Sequence, residues 1–179
     1  MRGGESAMLV LDSSAAISLV FERPEAAALR SLAYEGEKVI APELYVAEMA
    51  HVIERYVRGQ YVDAATGVTL LGKSWRLVDE LVPMKELAQE VLSESLRLDH
   101  SSYDVFYFVL ARRNAATLCT LDRRLQRFCL KNGVNCVCGL DVDDERWTVR
   151  VESEVGPAGM GGITREELER AVGRDTNGV

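Results

Sequence analysis

Four carboxylates stand in this chain at places where a carboxylate is hard to explain by structure alone. Asp12 ends the apolar run Met8-Leu-Val-Leu11, and Asp122 follows the run Ala115 to Leu121 in the same way. Short apolar runs of this kind read as buried strands, so both acids are expected at strand C-terminal ends. Glu48 has Leu44, Tyr45 and Val52 as its i−4, i−3 and i+4 neighbours, which puts it on or beside the apolar stripe of a helix. Asp104 heads a helix in which Val105 to Ala111 carry no charge, so that helix must be buried on nearly every face. An unpaired carboxylate in such a place costs on the order of several kcal/mol. Taken singly, Asp12, Asp104 and Asp122 could be helix caps and Glu48 the partner of an arginine. Gathered at one edge, the four make an oxygen-rich cage of the kind that suits hydrated Mg²⁺ or Mn²⁺.

Other residues offer rival chemistries. Gly67-Val-Thr-Leu-Leu-Gly-Lys-Ser74 has the spacing of a phosphate-binding loop, which works only when a strand feeds the first glycine and a helix starts at the lysine. The larger apolar residues Tyr61, Ala65, Val68, Leu71, Trp75, Val78 and Val82 instead run through it at the steps of three and four of one helical stripe, with Asp63 placed to cap that helix. Cys119, Cys129, Cys136 and Cys138 lack the paired spacings of a zinc ribbon and read as buried thiols. Only His51 and His100 are present and no G-x-S-x-G motif occurs, so nucleophilic or histidine-based catalysis has little support. Arg112, Arg113, Arg123, Arg124, Arg127 and Lys131 fall in one stretch with a single acid, Asp122. Such a run is either a solvated helix face or a phosphate-binding surface.

The elements that must position these residues alternate. Strands are expected at Met8 to Leu11, Lys38 to Ala41, Leu81 to Pro83, Ala115 to Leu121 and Val134 to Leu140. Helices are expected after Asp12, over Glu25 to Tyr34, from Pro42 to Arg58, after Asp63, over Glu86 to Leu96, from Ser101, and over Arg123 to Lys131. Ser101 and Asp104 have capping-box spacing, and Asn132-Gly133 stops the last helix. Alternation of this kind predicts an α/β fold with a parallel sheet covered on both faces and sites at the strand C-terminal ends.

The stretches LVLDSSA, PELYVAEMAHVIERY, SSYDVFYFVLAR and TLCTLDRRL resemble, in order and spacing, the acid-bearing motifs of PIN-domain ribonucleases, particularly VapC toxins of toxin–antitoxin pairs. The resemblance implies a three-layer α/β/α fold with a central, mainly parallel sheet over residues 8–140. It implies a metal-dependent endoribonuclease in which Asp12, Glu48, Asp104 and Asp122 hold Mg²⁺ or Mn²⁺, with Ser14, Ser101 and Thr120 as supporting hydroxyls. Arg112, Arg113, Arg123 and Arg124 are then expected to bind RNA. A homodimer and inhibition by a small antitoxin protein are implied as well. Many relatives carry Asn where this chain has His51. The rival readings are a nucleotide-binding protein using residues 67–74 and a non-catalytic RNA-binding or assembly module on the same fold.

The bulk properties bound the rest. A chain of 179 residues, 47% hydrophobic and 27% charged, suits one globular domain. No apolar run approaches the ~18 residues of a membrane span, and the first residues lack a signal-peptide core, so a cytoplasmic location is expected. The net charge of −7 argues against wrapping nucleic acid by overall electrostatics and leaves any such binding to local clusters. Residues 1–7 are expected as an N-terminal extension. Residues 141–179 are expected as a C-terminal appendage with a strand around Trp147 to Val151, a Gly-rich linker and a short helix from Thr164.

Overall fold

A computed structural model describes residues 8–33 and 37–137; the expected extensions at 1–7 and 141–179 lie outside the described residues. Five strands form one sheet: β1 (Met8–Leu11), β2 (Lys38–Pro42), β3 (Glu80–Val82), β4 (Thr117–Cys119) and β5 (Cys136–Val137). Their order is β3-β2-β1-β4-β5, and every neighbouring pair is parallel. The apolar run of β1 and of Val39 to Ala41 in β2 suits strands covered on both faces. Alternation divides their side chains between two cores. Leu9, Leu11, Val39 and Ala41 point into one, and Val10, Ile40 and Leu118 into the other.

Helices α1 (Ser13–Val20), α2 (Pro24–Ala33), α3 (Leu44–Arg58) and α4 (Ala64–Trp75) supply most of the first core. Helices α5 (Met84–Leu98), α6 (Ser102–Arg113) and α7 (Arg123–Lys131) cover the other face. The result is the three-layer α/β/α arrangement expected from the alternation. Helix α6 is the central column of its layer: Val105 and Tyr107 to Ala111 are all buried, as its uncharged run requires. Among the described residues, no helix is long and apolar enough to cross a membrane.

Several local expectations shift. Pro42 closes β2 rather than opening α3. Ser101 is the N-cap of α6, but its side chain makes no capping hydrogen bond, so the capping box is not formed. Strand β4 is shorter than the expected run Ala115 to Leu121, and β5 begins at Cys136 rather than Val134; residues 138–140 of its expected run lie outside the described residues.

The GVTLLGKS stretch lies entirely inside α4, which is capped by Asp63 accepting from Thr66 N at 2.7 Å and is not preceded by a strand. Gly67 has a packing reason instead: a Cβ there would meet Val57 Cγ2 at 2.7 Å, so the glycine lets α4 approach α3. Ser74 is buried, donates to Leu71 O and accepts through its carbonyl from Tyr45. A phosphate-binding loop needs free N–H groups curling around an anion, and a helix interior has none to offer.

Candidate active site

The first and second crossovers leave β1 toward β2 and β3, whereas β4 and β5 lie on its other side. The sheet order therefore reverses between β1 and β4, the position at which parallel α/β sheets form a crevice beyond their strand ends. Asp12 and Asp122 follow these two strands. Asp12 N donates to Cys119 O at 3.0 Å, which continues the ladder by one residue and locks the two strand ends together.

Asp12 is also the N-cap of α1 and is buried. Its Oδ2 accepts from Ser14 Oγ at 2.5 Å and from Thr120 Oγ1 at 2.6 Å. Ser14 Oγ in turn accepts from Leu121 N, and Thr120 Oγ1 from Asp122 N. Two hydroxyls thus tie the acid after β1 to the segment after β4. Asp122 caps α7, accepting from Arg124 N and Leu125 N, and is itself exposed.

The other two acids come from helices. Glu48 projects from α3 and accepts from the buried Tyr107 hydroxyl of α6 at 2.5 Å; Ser13 is hydrogen-bonded to it as well. Asp104, in the first turn of α6, meets His100 Nε2 at 2.9 Å. The His100 ring is fixed by stacking on Phe128 of α7, with centroids 3.8 Å apart and planes 9° from parallel. Asp99, at φ 50°, supplies the left-handed residue that ends α5 and turns the chain toward that position.

Electrostatics link the four acids in a closed ring. Burial raises the Asp12 carboxyl above its ordinary range, Ser14 and Thr120 oppose the rise, and Asp122 adds to it. Glu48 is pushed up to about 7, chiefly by burial, with Tyr107 opposing and Asp12 and Asp104 contributing. Asp104 is raised by burial, opposed by His100 and Arg124, and raised further by Asp122. Each acid is therefore within electrostatic reach of two others, and the cluster resists full ionisation.

Carboxylates crowded in this way fit a hard, oxygen-seeking cation better than they fit one another. Among the described residues, however, no group of three or more His, Cys, Asp or Glu side chains stands at metal-ligand spacing. Hydrogen bonds from Tyr107, Ser14, Thr120 and His100 hold three of the acids in place.

The expected accessory residues divide. Ser14 and Thr120 bond Asp12 directly, while Ser101 is exposed and makes no side-chain cap. Arg123 and Arg124 sit at the start of α7 beside Asp122, close enough for Arg124 to act on Asp104. Arg112 and Arg113 do not join them. They lie in the last turn of α6, about 12 Å along the helix axis from Asp104 at 1.5 Å per residue. There Arg112 pairs with Glu90 and Glu94, and Arg113 with Glu90. His51 is exposed and lies 3.8 Å from Glu54. Ser13, His100 and Tyr107 were absent from the expected site.

The family model for the PIN domain matches residues 9–131. The chain belongs to the PIN-domain family. This PIN domain is 31% identical over 118 residues to "Ribonuclease VapC12" of Mycobacterium tuberculosis, in the strains CDC 1551 / Oshkosh and ATCC 25618 / H37Rv, an alignment covering 66% of this chain and 89% of the relative. In fold it is similar to the crystal structure of PAE2754 from Pyrobaculum aerophilum, with a TM-score of 0.57, 23% identity, and coverage of 75% of this chain and 93% of the other. The resemblance carried by the four acid-bearing stretches thus names the right family and, in VapC12, a ribonuclease of the VapC type.

Proposed function

We propose that this PIN domain is a metal-dependent endoribonuclease whose catalytic group is Asp12, Glu48, Asp104 and Asp122, and that it is the toxin of a toxin–antitoxin pair. The observation that carries the reading is the ring of mutually coupled acids at the β1/β4 crevice, drawn from both strand ends and both helix layers. The similarity to VapC12 supports RNA as the substrate and a small antitoxin as the partner. A homodimer is the assembly that goes with this reading.

When bound, Mg²⁺ or Mn²⁺ supplies an activated water and neutralises charge on the phosphodiester. The chain's own residues do the rest. Asp12, Glu48, Asp104 and Asp122 would hold the ion. Ser14 and Thr120 orient Asp12, Tyr107 and Ser13 orient Glu48, and His100 orients Asp104, as outer partners do at metal centres. Arg123 and Arg124 offer guanidinium groups to the flanking phosphates. No side-chain nucleophile is needed.

The test is cleavage of single-stranded RNA by the purified chain with Mn²⁺, compared with Asp12→Asn and with chelator. Metal-dependent cuts that leave 5′-phosphate ends, absent in the variant, meet the proposal. RNA bound but never cut, with any metal, would reduce the fold to a binding module.

A further inference from the structure

We infer that Cys129 and Cys136 form a redox-modification site, a thiol pair that closes to a disulfide between α7 and β5 when the protein meets a peroxide. Neither residue takes part in the nuclease reading, and the inference is independent of it.

The geometry begins with the turn that joins the two elements. Val134 N donates to Cys129 O at 2.9 Å, folding the chain back so that β5 runs beside the helix it has just left. The Cys136 thiol then lies over α7, with Sγ 3.9 Å from Gln126 O and 3.8 Å from Val134 O. Gln126 is one turn before Cys129, and a helical side chain covers the turn N-terminal to its own Cα. The two sulfurs therefore meet over the same turn, where the thiols are hydrogen-bonded to each other.

Cys119 is excluded as the partner. Although β4 lies beside β5, Leu118 is the residue in register with Cys136, and Cys119 belongs to the core on the opposite face of the sheet. Cys129 and Cys136 share the other core. Closing the bond brings the sulfurs from contact to about 2.05 Å. The strand that must move, β5, is described over two residues and pairs with β4 alone among the described strands.

The chemistry has a natural direction. Cys129 is fully buried, whereas Cys136 is half-buried and is the sulfur an oxidant reaches first. The hydrogen bond between the two thiols lowers Cys136 and, together with burial, raises Cys129, so Cys136 is the sulfur that ionises first. The Cys136 thiolate attacks one oxygen of hydrogen peroxide, breaking the O–O bond and giving a sulfenic acid and hydroxide. The Cys129 sulfur then attacks the Cys136 sulfur and expels the sulfenic oxygen as water. In total, two thiols and one peroxide give one disulfide and two waters.

The experiment is peroxide treatment of the whole chain, alkylation of remaining thiols, and tryptic mapping without reductant. Trypsin separates Phe128–Lys131, which holds Cys129, from Asn132–Arg146, which holds Cys136 and Cys138. The two peptides should appear linked in the wild type and in Cys138→Ser, and should separate on reduction. The link should be lost in Cys136→Ser, with circular dichroism confirming that this variant is folded. A link that survives in Cys136→Ser and disappears in Cys138→Ser would assign the bond to Cys138 and overturn the inference. So would recovery of Phe128–Lys131 only as the alkylated peptide in wild type and Cys138→Ser.

Discussion

The Tyr107 hydroxyl donates a 2.5 Å hydrogen bond to Glu48 Oε2, so the helix whose uncharged run is buried fastens an acid that belongs to another helix. The phenol is an obligate donor here: burial and the neighbouring acids Asp12 and Glu48 push its ionisation well above the ordinary range. Tyr107→Phe removes only that donor and keeps the packing of the ring. Stability should fall by about 1 kcal/mol, and Mn²⁺-dependent cleavage by roughly ten- to a hundredfold, the usual cost of losing an outer partner at a metal centre. Denaturant melts and single-turnover rates read the two effects separately. An unchanged rate would make Tyr107 a structural ligand of Glu48 only.

Burial gives the acids a pH signature. Glu48 is raised from 4.5 to about 7, and Asp12 and Asp104 are raised as well. A carboxyl whose folded pKa is raised binds more protons folded than unfolded. Its stabilising contribution is therefore complete below the ordinary carboxylate range and is lost as pH rises through about 7. In chelator, the melting temperature should fall between about pH 5 and pH 8. Divalent binding needs ionised carboxylates, so the gain from Mn²⁺ should grow over the same interval. Melts in chelator that rise monotonically with pH would contradict the buried-acid picture.

What the sequence showed and hid follows from the range of each signal. Asp12 and Asp122 were placed correctly at strand ends because an apolar run closed by an acid is a local pattern. Glu48 was likewise readable, since helical spacing fixes which neighbours share its face. The arginine cluster divides in space, because α6 carries Arg112 and Arg113 away from its own N-terminus, and β4 then returns the chain to Arg123 and Arg124. Neighbours in sequence became the C-terminal end of α6 and the N-terminal end of α7. His100 could not be read from helical spacing at all, since it precedes α6 and owes its position to the left-handed Asp99 and to Phe128. The phosphate-loop spacing was real as a string, and the stretch is helical as expected, but the stripe was misread: α4 ends at Trp75 and buries Gly67, Leu70 and Ser74, while Val68 and Trp75 are exposed and Val82 lies in β3.

That separation of the arginines gives a paired prediction. Arg123→Gln/Arg124→Gln should weaken RNA binding and flatten its salt dependence, because guanidinium contacts to phosphate release counterions. Single-turnover cleavage at saturating RNA should stay near wild type. Arg112→Gln/Arg113→Gln should do the reverse: the ion pairs from α6 to Glu90 and Glu94 of α5 are lost and the melting temperature drops, while binding holds. Equal loss of binding in both double variants would show that the α6 end also faces RNA.

Asp104 gives the sharpest test of the four-acid reading, because its pKa is raised by burial and by Asp122 while its main local support is the His100 contact. Asp104→Asn keeps the size of the side chain and an oxygen or amide to meet His100, and it removes one charge from the ring. Metal-free stability should stay level or rise, since repulsion with Glu48 and Asp122 is relieved. Cleavage of single-stranded RNA with Mn²⁺ should fall by several orders of magnitude, roughly 10³ or more, because the ion loses a charged ligand where the phosphodiester reacts. Lys73→Ala is the matched control: Lys73 lies within α4, so its loss should leave cleavage intact. Measured together on one RNA, with contaminating nuclease excluded by a mock purification, the two variants should part completely. An Asp104→Asn protein that cuts at the wild-type rate would remove Asp104 from the metal group and leave it as a helix-terminal acid held by His100.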